Sequence, residues 1–187
     1  SWLDLAGDWQ DPLDDPIIVN HEGFNVVRDD MMGFGSKCRF GDILVQKAPT
    51  DTLVYVQPRF GFAGISLAYL AKKYNKKLVL FMPSGKVISD HQAICIERGA
   101  TPKFRRIAAM PNLNRIAKQW AEDNNATFIP LGLKHELVTA AAVKVAYDVA
   151  EKHGYPEEVW SAISTGVGTR ASAIYCSNRF RLSGNIA

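Results

Sequence analysis

The sequence predicts an α/β protein in which a parallel sheet carries helices on both faces. Short apolar runs of the kind that form buried strands alternate with segments whose apolar residues recur at helical spacing. Turns that contain glycine or proline separate several of these segments. The chain has 187 residues, of which 47% are hydrophobic, so it can bury the core of one domain or of two small lobes.

The composition is that of a globular, cytoplasmic protein. A net charge of +3, with basic and acidic residues interspersed, gives no strong case for a nucleic-acid partner but does not exclude one. Cys38, Cys95 and Cys176 lack the spacing of metal ligands, so we expect reduced thiols and no metal site. No apolar run approaches the length of a membrane span, and we expect no membrane partner.

The first fifty residues show the least regular pattern. Residues 1–15 contain repeated aspartate and Pro12, which predicts an extended arm with little structure of its own. Two β-rich runs at residues 16–19 and 24–27 flank a polar turn, and a helix is predicted over residues 37–46.

Strands and helices alternate from residue 52 onward. Strands are predicted at residues 53–56, 77–81, about 104–107, 127–129 and 159–163. The helices between them are predicted at residues 64–74, 90–98, from about 112, and 136–153, and a further helix follows residue 168. Because ligands of parallel sheets bind at the carboxyl ends of the strands, we expect the functional site at that edge.

Lys37 is the first candidate for chemistry, because it follows Gly33, Gly35 and Ser36 at the predicted start of a helix. The unpaired N–H groups and the dipole of a helix start disfavour a positive charge and lower the pKa of an ammonium group. A lysine with a lowered pKa can act as a nucleophile in Schiff-base chemistry. The alternative is a lysine that simply extends into solvent.

The second candidate is a turn between a predicted strand and the last helix. There Gly166 and Gly168 would offer backbone N–H groups to a phosphate, and Thr165 and Thr169 could add hydroxyls. An ordinary tight turn is the alternative interpretation.

Five segments follow one another in an order known from one enzyme family. They are Val27-Arg28-Asp29-Asp30 with Gly35-Ser36-Lys37-Cys38-Arg39, then residues 61–68, Phe81-Met82-Pro83, Glu97-Arg98-Gly99-Ala100, and Ser164-Thr165-Gly166-Val167-Gly168-Thr169. In this order the chain resembles the fold-type II, or tryptophan synthase β-like, pyridoxal-phosphate enzymes. It is most similar to the branch of 1-aminocyclopropane-1-carboxylate deaminase and D-cysteine desulfhydrase.

The resemblance implies a site and a cofactor. Lys37 would carry pyridoxal 5'-phosphate as a Schiff base and act as the catalytic residue. The cofactor phosphate would be held by Ser164, Thr165, Gly166, Val167, Gly168 and Thr169. Arg59, Gly61 and Phe62 would face a small amino-acid substrate. By its charge and fork geometry, Arg59 is the candidate to bind the substrate carboxylate, and a solvated surface arginine is the alternative.

The resemblance also implies an architecture: a two-lobed fold that lacks much of the C-terminal large domain, in a homodimer. Residues 1–50 would form an N-terminal arm and part of the large lobe, residues 51–157 the small lobe, and residues 158–187 a large-lobe strand, the phosphate loop and a helix.

Two departures from the family pattern leave the function open. Phe62 or Ala63 stands where the family has an asparagine that binds the cofactor ring, and Thr169 and Arg170 replace the usual Gly-Thr. The first hypothesis is therefore a pyridoxal-phosphate-dependent lyase or deaminase. The second is a relative without this cofactor that binds another phosphorylated ligand, such as a nucleotide. The third is a truncated lobe that acts by assembling with a partner.

Overall fold

The computed structural model describes residues 1–107, 109–159 and 166–180, with the side chains of 177–180 excepted. The helices are α1 (Trp2–Ala6), α2 (Lys37–Phe40), α3 (Asp42–Gln46), α4 (Ala63–Lys73), α5 (Asp90–Glu97), α6 (Met110–Asp123), α7 (Glu136–His153) and α8 (Val167–Phe180). The strands are β1 (Ile18–His21), β2 (Phe24–Val27), β3 (Thr52–Val56), β4 (Lys77–Pro83), β5 (Thr101–Arg105) and β6 (Thr127–Phe128). Single 3-10 turns lie at Asp29–Met32 and Leu131–Leu133.

The main sheet has the strand order β5-β4-β3-β6, and all of its neighbouring strands are parallel. Leu53 pairs with Leu78, and Val56 pairs with Phe81. The predicted parallel α/β fold is confirmed. One strand is displaced from its prediction: β5 covers Thr101–Arg105 instead of about 104–107. It begins almost directly after Gly99, which has a φ of +96° and allows the chain to turn out of α5.

Helices cover both faces of this sheet because alternate strand residues point to opposite sides. Leu53, Tyr55 and Leu80 pack with α4 in one buried cluster. Val54, Val56 and Phe81 pack with α6 in a second cluster on the other side. The strands are therefore buried on both faces, as their unbroken apolar runs predict.

The prediction of an extended N-terminal arm with little structure of its own was wrong for residues 2–6, which form α1. The hydroxyl of Ser1 accepts a hydrogen bond from the backbone of Asp4, whose carboxylate bonds back to the amino terminus, and this capping box starts α1. Beyond α1, the indole Nε1 of Trp9 donates to the buried carboxylate of Asp42 at 2.9 Å. Asp42 also accepts from Lys73 Nζ at 2.8 Å and from the Tyr74 hydroxyl at 2.6 Å, so one carboxylate joins the arm, α3 and the end of α4.

The predicted helix over residues 37–46 consists of two short helices, α2 and α3, which meet at Gly41. A Cβ atom at this position would lie 2.5 Å from the carbonyl oxygen of Lys37. The two β-rich runs form a separate antiparallel hairpin in which Val19 pairs with Val26. The second strand has the predicted bounds, whereas the first covers Ile18–His21 instead of 16–19.

The long helix α7 has the predicted bounds and packs against α1, α2, α3 and α8. Residues 160–163 of the final predicted strand lie outside the described residues, and the division into three segments stays a prediction. No helix in the described ranges has the length and apolar character needed to cross a membrane.

Candidate functional site

Lys37 is the first residue of α2, and the loop before it rests on the start of α4. Gly35 has a φ of +80°, and a Cβ atom there would lie 3.3 Å from both the Phe62 Cβ and the Ser66 Oγ. Ser66 also donates a short hydrogen bond to the carbonyl of Phe34. Glycine is thus required at position 35 both by its backbone angle and by close packing. The loop before Lys37 is thereby held against the start of α4, which follows the carboxyl end of β3.

The side chain of Lys37 is half-buried. Within the part of the chain that the structure describes, no hydrogen bond or ion pair involves its Nζ atom. Ser36 contributes no side-chain cap to the helix start. The role of this amine in binding a cofactor stays a prediction.

Gln57 shapes the turn between β3 and α4, and sequence reasoning missed it. Its fully buried side chain donates from Nε2 to the carbonyl of Gly61 at 2.9 Å and accepts from the backbone N–H of Gly64 at 2.8 Å. The amide thereby joins both ends of the turn. A glutamine directly after a buried strand is the one signal that could have identified it.

Gly64→Ala should lower the free energy of unfolding by about 1–3 kcal/mol, because its Cβ atom would overpack this turn. That atom would lie 2.4 Å from the Gln57 Oε1 and 3.0 Å from the Cys95 Sγ. Gly168→Ala is the matched control, since among the described residues no atom lies within 4 Å of its Cβ position. Urea unfolding of both variants measures the difference, and equal stabilities would contradict the role of Gln57.

The guanidinium of Arg59 contacts the loop between β4 and α5. Its Nη2 donates to the carbonyl of Val87 at 3.0 Å, and its own carbonyl accepts a hydrogen bond from Ser89. Gly61 has a φ of +134°, a backbone conformation that favours glycine. Binding of a substrate carboxylate by Arg59 stays a prediction.

Phe62 has an exposed ring, with 55% of the residue accessible. The ring contacts His91 edge to face at a centroid distance of 5.1 Å, and Phe60 contacts the same histidine at 6.0 Å. The ring of Phe62 therefore lies beside the loop that precedes Lys37. It offers apolar contact to the ring of a ligand but cannot donate or accept a hydrogen bond.

Arg39, the arginine two residues after Lys37, is a fully buried structural residue. It binds Asp11 at 2.5 Å and Asp29 at 3.2 Å, and it donates to the carbonyl of Asp14 at 2.8 Å. Burial alone would lower the pKa of Arg39, but the bonds to Asp29 and Asp11 outweigh it and raise the pKa. For Asp11, burial outweighs the bond to Arg39 and raises the pKa. Arg39 therefore ties the arm and the 3-10 turn at Asp29–Met32 to α2.

Cys38 is buried, as expected of a packing residue, and its Sγ donates to the carbonyl of Gly35 at 2.9 Å. Burial raises the pKa of Cys38 to about 11, and that of the buried Cys95 to about 11 as well. The thiol beside Lys37 is therefore neutral at physiological pH and is a poor nucleophile.

Raising the pH from 8 to 10 should destabilise the wild type more than Cys38→Ala, by about 1 kcal/mol. The folded-state pKa of Cys38 lies above the unfolded value, so its stabilising contribution is complete below the unfolded pKa. That contribution is lost as the pH rises through the folded value of about 11. Urea unfolding at both pH values measures it, and identical pH dependence in the two proteins would contradict the burial of this thiol.

The predicted phosphate loop is described only in part, because Ser164 and Thr165 lie outside the described residues. Val167 is buried in the cluster that also contains Cys38 and Ala63, which fixes the start of α8 against the core. Gly168 is exposed at the first turn of this 14-residue helix. Phosphate binding by backbone N–H groups at this helix start stays a prediction.

Two surface cavities lie elsewhere. One of about 200 Å³ separates the arm from α7, and one of about 360 Å³ lies between the ends of α4 and α5. Lys37 lines neither of them. Within the described ranges, no group of three histidine, cysteine, aspartate or glutamate side chains could hold a metal ion.

The fold is similar to that of several solved enzymes. A 1-aminocyclopropane-1-carboxylate deaminase homologue superimposes with a TM-score of 0.74 at 17% identity, over 94% of this chain and 61% of its own. For a hydrogen sulfide-producing enzyme from Fusobacterium nucleatum the TM-score is 0.70 at 16% identity, over 97% and 62%. For a pyridoxal 5'-phosphate-dependent aspartate racemase it is 0.67 at 15% identity, over 84% and 48%.

No model of a protein family matches the chain. No curated protein matches it significantly. The chain spans about 61% of the length of the deaminase homologue. At these low identities the superpositions are evidence of fold alone, and by that evidence the chain has the tryptophan synthase β-like fold of pyridoxal-phosphate enzymes.

Proposed function

We propose that this chain takes part in a pyridoxal-phosphate-dependent lyase or deaminase reaction on a small amino acid, with Lys37 as the residue that holds the cofactor. The observation that carries the proposal is the position of Lys37. Lys37 is half-buried, its amine has no hydrogen-bond or ion-pair partner among the described residues, and the residue follows a loop that packs on the start of α4. The solved deaminase homologue of the same fold supports the reaction class.

Two features of the described residues support this cofactor. Lys37 offers an amine without an ion-pair partner in the described chain, and Gly168 is exposed in the first turn of α8, with no described atom within 4 Å of a Cβ atom built on it. The start of α8, with Gly166, Val167 and Thr169, would hold the phosphate together with Ser164 and Thr165. When bound, pyridoxal phosphate supplies an electron sink for negative charge at the substrate α-carbon.

Residues of the chain would transfer the proton, bind the substrate and exclude water. The Lys37 amine would move a proton at the substrate α-carbon, as a general base positioned by α2. Arg59 would bind the substrate carboxylate, while the turn at Gly61 and Phe62 would cover the ligand and exclude water. We place this reaction in the cytoplasm, in a homodimer.

The direct test is cofactor uptake by the wild-type protein. After addition of pyridoxal phosphate and removal of the excess, we expect a yellow protein whose visible absorbance disappears on treatment with borohydride, because reduction fixes the cofactor on an amine. A protein that remains colourless would contradict the proposal.

Gly168→Leu should fold normally and bind pyridoxal phosphate at least about tenfold more weakly. The fold leaves room for the side chain, with no described atom within 4 Å of the Cβ position, whereas an anion that approaches the N–H groups of α8 would meet it. Equilibrium titration followed by absorbance measures the change. Unchanged affinity in a folded variant would place the phosphate elsewhere.

One observation favours a second candidate, a relative that binds a different phosphorylated ligand without Schiff-base chemistry. The exposed ring of Phe62 beside His91 could stack on a nucleotide base but cannot bind the cofactor ring by a hydrogen bond. Adenosine monophosphate binding by a protein that stays colourless with pyridoxal phosphate would support this candidate.

A further inference from the structure

The β1–β2 hairpin has a register that its turn and its backbone hydrogen bonds define. Glu22 and Gly23 both have positive φ angles, +49° and +89°, as a two-residue type I′ turn requires. The ladder continues beyond the two strands, since the backbone N–H of Arg28 donates to the carbonyl of Ile17 at 2.8 Å. This register determines which side chains of the hairpin share a face.

One face of the hairpin is apolar and exposed. Residues that lie opposite each other on paired strands point to the same side, and alternate residues along a strand do so as well. This side carries Ile17, Val19, Phe24 and Val26, which we call the outer face. Between 37% and 65% of each of these four residues is accessible. The outer face is therefore a contiguous apolar patch of aliphatic and aromatic side chains.

The polar side chains of the strands lie mainly on the opposite face. There the Nδ2 atom of Asn20 donates to the Oδ1 atom of Asn25 at 3.2 Å. Ile18 shares this face and is the one residue of the two strands that is half-buried. A sheet with one solvated face normally turns its polar side to water, so the hairpin has the reverse arrangement. Because a two-stranded hairpin is marginally stable alone, a contact that covers the outer face would stabilise it.

The two ends of the hairpin carry opposite charges. Glu22 lies in the turn, where asparagine or glycine suits a positive φ better, so the turn itself does not explain the glutamate. No ion pair involves Glu22 among the described residues. Arg28 lies at the other end and binds Asp30 through Nε and Nη2. Glu22 and Arg28 of one copy are separated by about 20 Å of strand, so they cannot pair with each other.

A second copy of the chain matches both features of the hairpin. When two outer faces pack against each other with their hairpins antiparallel, Phe24 of each copy lies over Ile17 of the other. The same arrangement places Glu22 of each copy beside Arg28 of the other. A two-fold axis makes every such contact occur twice, which is the most frequent symmetry of protein dimers.

We propose that the outer face of the β1–β2 hairpin is the contact surface between two copies of this chain, packed antiparallel with Glu22 of each copy beside Arg28 of the other. The surface is small for an interface, so we expect a micromolar dissociation constant. It would give the homodimer proposed above its contact surface. The contact involves neither Lys37 nor pyridoxal phosphate, so its failure and the failure of the Schiff-base proposal are separate results.

Sedimentation equilibrium of the protein without cofactor tests the contact, over about 1–300 μM because the expected affinity is micromolar. The mass of the wild type should rise from one copy to two. Phe24→Thr should weaken the dimer at least about tenfold, because threonine removes apolar contact area and retains strand propensity. A mass of one copy at every concentration would overturn the proposal and leave the face to a different partner. Masses that grow beyond two copies would also overturn it, since a two-fold contact closes.

Val26→Thr and Val27→Thr form a matched pair, because the two valines are neighbours on β2 and point to opposite faces. Val27 is the more exposed of the two, at 51% against 37% for Val26. Val26→Thr should nevertheless weaken the dimer about fivefold, whereas Val27→Thr should retain the wild-type dissociation constant. Equal effects of the two substitutions would overturn the assignment of the outer face.

Exchange of the two charges tests the antiparallel arrangement and provides a second route if the variants of the outer face fail to fold. Glu22→Arg and Arg28→Glu should each weaken the dimer about threefold or more, because like charges then meet. The protein with both substitutions should regain affinity relative to either single variant. A pair within one copy cannot cause this rescue, because the two residues lie at opposite ends of the hairpin. A double variant that binds no better than the single variants would overturn the proposal.

Discussion

Arg39→Met should lower the free energy of unfolding by about 3–5 kcal/mol, the largest effect on stability that we expect from a single substitution. Methionine retains the apolar volume but leaves Asp11 and Asp29 without their cation. These two carboxylates are mostly buried, with 18% and 13% of their side chains accessible. A buried charge whose partner is removed costs far more than the pair contributes.

Arg28→Met is the matched control, because it removes an arginine–aspartate pair of similar geometry from the surface. Arg28 binds Asp30 at 2.8 Å with 40% of the arginine side chain accessible. Its loss should cost about 0–1 kcal/mol. Urea unfolding of the two variants measures the contrast, and a cost below about 1 kcal/mol for Arg39→Met would contradict the role of the buried cluster.

The middle of the fold could be predicted because its signals are local. The runs at β3 and β4 are apolar without interruption, which occurs when a strand is buried on both faces. The bounds of α7 follow from its regular apolar spacing and from Gly154, whose φ of +97° ends the helix. In each case the residues that determine the element lie within it or next to it.

The N-terminal segment was predicted poorly because long-range contacts determine it. Aspartate and proline in residues 1–15 are typical of an irregular arm, yet Trp9 is buried against Asp42, which lies 33 positions along the chain. Arg39 likewise receives its partners from Asp11 and Asp29. The sequence next to a residue does not show which distant residues will contact it in the fold.

The same distinction between local patterns and long-range contacts applies to the residues of the candidate site. Lys37 and Gly168 could be proposed from glycine spacing and helix starts, which are local patterns. Gln57 could not be proposed in this way, because its role depends on hydrogen bonds to Gly61 and Gly64 that form only when the turn has folded. Arg59 was assigned by charge alone, and only the structure places its guanidinium on the carbonyl of Val87.

Lys37→Ala should abolish covalent attachment of pyridoxal phosphate while leaving the fold intact. The Nζ atom has no hydrogen bond or ion pair within the described chain, and alanine is a strong helix former at the start of α2. We therefore expect a change in the free energy of unfolding within about 0.5 kcal/mol. The loss of chemistry would then reflect the missing amine and not a damaged fold.

Lys47→Ala is the control, because Lys47 is an exposed lysine only ten positions away, at the end of α3. After incubation with pyridoxal phosphate and reduction with borohydride, peptide mapping by mass spectrometry should find the label on Lys37 in the wild type and in Lys47→Ala. Lys37→Ala should carry none, because an exposed lysine lacks the surrounding site that retains the cofactor. A label on Lys47 or Lys72, or equal labelling of all three proteins, would show that the attachment is non-specific. The phosphorylated-ligand candidate would then replace the Schiff-base proposal.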